Sequence, residues 1–192
     1  MVAAQRSGWL VTAVEDEAPV ATLMPIMWRG DRIVAHMAKA NSHWRSIRDG
    51  AKGLVIVSGP EAYVSPNWYP SKAEHGKAVP TWNYIAVHLS GSMRLHHDAD
   101  WLRAAVTELT DVHEGDRPDR WHVTDAPDDF IATMLKSIVG VEMTVERVEA
   151  KAKLSQNRSE ADQLGVIGGL DTVDDHEASV VAAAMRERFV SG

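Results

Sequence analysis

The strongest constraint on the fold is a succession of short β-branched and apolar runs separated by tight turns. Trp9 to Val14, Val20 to Met27 and Arg32 to His36 are divided by a Glu-Asp-Glu turn and by Arg29-Gly30-Asp31. Gly53 to Ser58 is fully apolar in its middle and reads as a central strand, with Glu61 to Ser65 beginning another. Asn83 to Ser90 alternates, Ile85, Val87 and Leu89 facing one way and Tyr84, Ala86 and His88 the other. Ser92 to His96 continues after Gly91, and Val139 to Val148 alternates again. So many short strands in meander order predict an α+β chain, mainly β, built as a small barrel with peripheral helices.

Helices fall between and after these runs. Asn41 caps a short helix through Trp44 and Ile47 that stops at Gly50, and Asp98 caps one carrying Trp101, Leu102, Ala105, Val106 and Leu109 at helical spacing. Pro127 opens a third with Phe130, Met134, Leu135 and Ile138 on its apolar side. A short helix starts at Ser159, Gly165, Gly168 and Gly169 break the chain, and a terminal helix covers roughly 174–189. The expected organisation is a single domain over 1–170 with a C-terminal helix, 171–192, packed on it.

The bulk numbers exclude whole classes of chemistry. With 192 residues and no cysteine, the chain has no disulfide, thiolate nucleophile, Cys-ligated zinc or iron–sulfur cluster. No apolar run reaches membrane-span length and no signal-peptide pattern opens the sequence, so the cytoplasm is the expected location. Net charge is −7, with acids dense over 98–129 and 171–177. This balance does not ask for a DNA partner, although it does not exclude one.

The segment Ala62 to Tyr84 is where the chemistry concentrates. Pro66, Pro70 and Pro80 remove backbone donors and fix φ, so this stretch does not form a core helix. Trp68, Tyr69, Lys72, Lys77, Trp82 and Asn83 spend large aromatics and cations where no periodicity offers a core face. They suit a planar, anionic cofactor, with rings to stack on and ammonium groups for carboxylate or phosphate. The competing structural reading is an aromatic plug closing one end of the barrel. A second donor-rich stretch, Lys151, Lys153, Gln156, Asn157 and Arg158, follows a strand and reads either as an anion-binding loop or as a solvated one. His36, at a strand end beside Lys39 and Asn41, is a candidate metal ligand, flavin contact or general base. His88 is a weaker candidate, and His96-His97 reads as a surface turn. No Rossmann, Walker, zinc-protease or nucleophile-elbow motif is present.

At these residues the chain resembles the PaiB-type family of FMN-binding negative transcriptional regulators. The resemblance rests on His36-Met-Ala-Lys-Ala-Asn41 with Trp44, Gly59-Pro60, Tyr63 and Ser65-Pro66. It continues through Trp68-Tyr-Pro-Ser-Lys72, His75-Gly-Lys77, Pro80-Thr-Trp-Asn-Tyr84, His88, Ile138-Val-Gly140 and Lys153-Leu-Ser-Gln-Asn-Arg158. It covers about residues 8–170 and implies a flavin-reductase-like split barrel, a homodimer, and cofactor sites near the subunit interface. Two departures stand out. The first strand begins almost at once, near Trp9, and Leu23 occupies a place where the family commonly has a histidine.

The piperazate synthases are a branch with the same resemblance that uses haem b in place of FMN. That resemblance implies dehydrative N–N bond formation on N5-hydroxy-ornithine, a small-molecule substrate. Such chemistry needs a Lewis acid on the hydroxylamine, a base for the α-amine, an acid for the departing hydroxyl and a cation for the substrate carboxylate. In this reading His36 is the axial metal ligand, Tyr69 or Lys72 transfers protons, and Arg6, Lys77 or Arg158 pairs with carboxylates. Trp68, Trp82, Asn83, Lys153 and Gln156 complete the cofactor-binding set. The alternative is an FMN-binding regulator or flavoprotein.

Overall fold

The computed structural model describes residues 1–14 and 16–191, with the side chains of 190 and 191 excepted. In chain order its elements are α1 (Val2–Gln5), β1 (Ser7–Thr12), β2 (Val20–Arg29), β3 (Arg32–Ala38), β4 (Lys52–Val64), α2 (Ser71–His75), β5 (Thr81–His96), α3 (Ala99–Glu114), α4 (Asp128–Leu135), β6 (Ile138–Lys153), α5 (Glu160–Leu170) and α6 (His176–Ser191). Single 3-10 turns cover Ser42–Ser46, Pro66–Trp68 and Val123–Asp125. The strands close into a barrel in the order β1-β2-β3-β6-β5-β4. Among the described residues, no helix is long and apolar enough to cross a membrane.

Two compact units are distinguishable. The first comprises Met1–Val57 and His88–Glu149, and the second Ser58–Val87 and Ala150–Gly192. Strands β4, β5 and β6 contribute residues to both, because each is longer than the sequence suggests. β4 runs unbroken through Gly59-Pro60, β5 through Gly91, and β6 to Lys153.

In the first unit, alternation sets the core. Antiparallel register pairs Ile26 with Ala35, Ile33 with Met143, Ala35 with Val141 and Met37 with Val139, all buried. Leu10, Met24, Val55, Val57, Leu89 and Met93 are buried too, each such side chain contributing about 1.5–3 kcal/mol. The outer face of β2 and β3 supplies Met27 and Val34, which cluster with Ala105 and Leu109 of α3. Asp98 caps α3 by accepting from Trp101 N at 2.8 Å. Gly140 leaves room for the helix: a Cβ there would lie 2.1 Å from the Trp101 ring.

The second unit is a helical cluster against strand ends. Val166, Ile167 and Leu170 of α5 and Ala178, Val181, Ala182 and Met185 of α6 enclose Ala62, Val64, Tyr69 and Leu154. The expected break at Gly165, Gly168 and Gly169 does not occur, since α5 passes through all three. Tertiary packing overrides propensity there. A Cβ at Gly165 would stand 2.1 Å from the Trp68 carbonyl oxygen, and one at Gly169 2.2 Å from the Trp68 ring.

Candidate functional site

The proline-rich segment is assembled by local geometry. Ser65 caps the Pro66–Trp68 turn by accepting from Asn67 N. The chain then enters α2, whose first residue is held by Asp162 of α5: Ser71 donates from its backbone N at 3.0 Å and from its hydroxyl at 2.8 Å to the two carboxylate oxygens. Burial alone would raise the pKa of Asp162. The two bonds from Ser71, the nearby Arg158 charge and the bond from Ser159 outweigh it and hold the carboxyl below its ordinary value.

This folding divides the aromatic and cationic wall into two separate hollows. One, of about 230 Å3, is lined by Tyr69, Val79, Pro80, Thr81, Asn83, Lys153, Ser155, Asn157 and Arg158. Its cations are Lys153, whose Nζ donates to Thr81 Oγ1, and Arg158, whose guanidinium carbon lies 4.6 Å from the Tyr69 ring centroid. Tyr69 is 3 % exposed, and its hydroxyl is buried with no hydrogen-bond partner. The hollow thus gathers two cations that could hold an anion, with the unpartnered phenol buried in its wall.

The other hollow, of about 250 Å3, holds Trp68, Trp82 and Tyr63. Tyr63 and Trp82 meet edge to face, with centroids 6.1 Å apart. Trp68 both packs against the α5 glycines and lines this hollow.

The remaining candidates are placed as follows. Asn83 is fully buried and exchanges hydrogen bonds with Ser155 at 3.1 and 3.2 Å, so it fixes the 154–158 loop to β5 as well as lining the cationic hollow. Gln156 accepts from Leu154 N at 2.6 Å and donates to the Ala152 carbonyl, which spends its amide on its own turn. Lys72 is exposed and bonded to Asn67 Oδ1, and Lys77 is exposed. Arg6 donates to the Val112 carbonyl at 2.6 Å.

His36 belongs to the first unit, on the face of β3 that carries Val34, and its register partner is Gly140. It is half-buried, burial lowers its pKa, and among the described residues its ring has no hydrogen-bond partner. The imidazole is thus neutral at pH 7, with nitrogen lone-pair capacity unspent. His88 is exposed.

His96 departs from the surface reading. It ends β5, stacks on Trp101 at 3.8 Å and 1°, and its buried Nε2, with no hydrogen-bond partner among the described residues, lies 3.9 Å from Glu142 Oε1. His97 meets Trp44 edge to face and lines a cavity of about 240 Å3 with Lys39 and Arg103.

Sequence reasoning missed His43. It is 2 % exposed, with Nδ1 2.7 Å from Thr22 Oγ1 and Nε2 2.9 Å from Thr12 Oγ1. Only the barrel brings those two hydroxyls to one imidazole.

Comparison with known proteins agrees with this architecture. The chain is 33 % identical over 185 residues to "Protease synthase and sporulation protein PAI 2" of Bacillus subtilis, covering 93 % of this chain and 86 % of that one. It is 32 % identical over 174 residues to an uncharacterized protein of Aspergillus fumigatus, covering 82 % of this chain but only 66 % of the fungal one. Among solved structures, the FAD and haem binding protein from Mycobacterium smegmatis superposes with a TM-score of 0.58 at 16 % identity, over 83 % of this chain and 71 % of that one. The split-barrel fold expected from sequence is therefore the observed one. A family model described as "Putative FMN-binding domain" matches residues 1–147, and the chain belongs to that family.

Proposed function

We propose that the protein is a cofactor-dependent enzyme whose cationic hollow receives the anionic group of a flat cofactor or of its substrate. The observation that carries this reading is the buried, unpartnered Tyr69 hydroxyl beside Arg158 and Lys153. A hollow of about 230 Å3 suits a phosphate or carboxylate-bearing arm. Lys153 and Arg158 balance the charge of such an anion, the Tyr69 hydroxyl donates to it once a small shift of the wall uncovers it, and the Asn83–Ser155 pair holds the loop that presents them.

The finer reading is haem-dependent dehydrative cyclisation of N5-hydroxy-ornithine to piperazate. When bound, haem iron supplies a Lewis acid for the hydroxylamine oxygen. His36 is the candidate neutral imidazole ligand and Tyr69 the candidate proton-transfer group, each contributed by its own compact unit. Arg158 would orient a carboxylate. The unspent ring nitrogens of His36 support this assignment.

A second reading is an FMN-binding regulator or flavoprotein, whose cofactor is supported by the FMN-binding domain family to which the chain belongs. In both, a homodimer would use the outer face of β1 and β2. There Trp9 and Leu23 are cross-strand partners and are 45 % and 54 % exposed.

An absorbance spectrum of the purified protein, with the extracted cofactor identified, separates the readings. A Soret band lost in His36→Ala supports the haem enzyme. A flavin spectrum with no haem overturns it, and loading unchanged in both His36→Ala and Arg158→Ala overturns the site.

A further inference from the structure

The second hollow of the same unit has the opposite electrostatic character. Tyr63, Trp68 and Trp82 form its aromatic wall and Leu170 part of its floor, while its only ionisable side chains besides Tyr63 are Glu61 and Asp175. Among the described residues, no lysine, arginine or histidine lines it. Among the described residues Glu61 has no hydrogen-bond or ion-pair partner, and Asp175 is bonded through Oδ1 to Glu177 N without any cation. Glu61 and Tyr63 are two apart on β4 and share a face.

Ring faces carry negative quadrupole charge, so three aromatics with two carboxylates that no cation neutralises repel phosphates and carboxylates and attract a cation. Trp82 is 52 % and Tyr63 47 % exposed, which keeps the mouth open. The space, about 250 Å3, fits a small ligand.

We infer that this hollow is a binding site for a small organic ammonium ion, an apolar-bodied primary or quaternary amine held by the rings and neutralised by Glu61 and Asp175. It is distinct from the cationic hollow and would serve an amine substrate end or effector.

The test is calorimetric titration of the protein with choline and with its neutral isostere 3,3-dimethylbutan-1-ol, in parallel with tryptophan fluorescence. Choline is expected to bind at least about tenfold more tightly than the alcohol, and Glu61→Gln and Trp82→Ala to weaken it roughly fivefold or more. Glu61→Gln should leave cofactor loading unchanged, which separates this site from the anion site. Both residues are exposed, so these variants should fold, and an unchanged melting curve checks this. Equal binding of choline and the alcohol, unchanged affinity in both variants, or a dimer dissolved by Trp82→Ala with no choline binding each overturns the proposal.

Discussion

The guanidinium of Arg158 lies over the ring of Tyr69, 4.6 Å from its centroid, while the phenol hydroxyl below is buried without a partner. Tyr69→Phe removes only that hydroxyl. Because an unsatisfied buried group is costly, the ligand-free protein should gain up to about 1 kcal/mol in stability while losing affinity for its anionic ligand. Thermal denaturation and cofactor titration of the same variant measure the two effects, which a purely structural tyrosine would not separate.

Glycines in α5 differ in what surrounds them. Gly168 has open space where a Cβ would sit, so Gly168→Ala should stabilise by about 0.5–1 kcal/mol through helix propensity. Gly169→Ala gains the same propensity but drives a Cβ to 2.2 Å from the Trp68 ring, and overpacking of about 1–3 kcal/mol wins. Opposite signs in chemical denaturation would confirm that Trp68 is seated on this helix.

Each hydroxyl of the Thr12–His43–Thr22 bridge can donate or accept, so the bridge suits a neutral imidazole with one nitrogen donating and the other accepting, the form that burial favours. Burial lowers the pKa of His43, as it does for His36 and His96. A histidine pKa lowered by folding means the unfolded chain binds more protons between the two values. Its contribution is therefore full above about 6.5 and declines as pH falls toward the folded value. The melting temperature should drop between pH 7.5 and 5.5. Thr22→Val, which orphans Nδ1, should cost about 1–3 kcal/mol at pH 7.5.

Asp162 ties α5 to the start of α2. Its carboxyl is held below the ordinary value, so the stability it supplies is present at neutral pH and is lost as pH falls through its folded pKa, below about 3.8. Asp162→Ala leaves the Ser71 amide without its acceptor and should loosen the segment carrying Trp68 and Tyr69. Faster amide exchange at 66–75 would report this without global unfolding.

Much of the fold was legible in one dimension because period-two alternation and capping residues act locally. The inward rows of β5 and β6, the Asp98 cap of α3 and the Ser159 cap of α5 all follow from sequence spacing. The Ala62–Tyr84 segment stood out because its aromatics had no periodic core face in sequence, yet Tyr69 and Trp68 join the core formed with α5 and α6. The tertiary structure decided how that segment is used. Trp68 is drawn onto Gly165 and Gly169, a hundred residues away, because only there can backbone and ring approach so closely. That contact keeps α5 helical through its glycines. Tyr69 lies with Lys153 and Arg158, Trp82 with Glu61 and Asp175, and His43 with two threonines from separate strands. Sequence order carries no information on such meetings, because burial and charge pairing act between side chains only after the chain has closed.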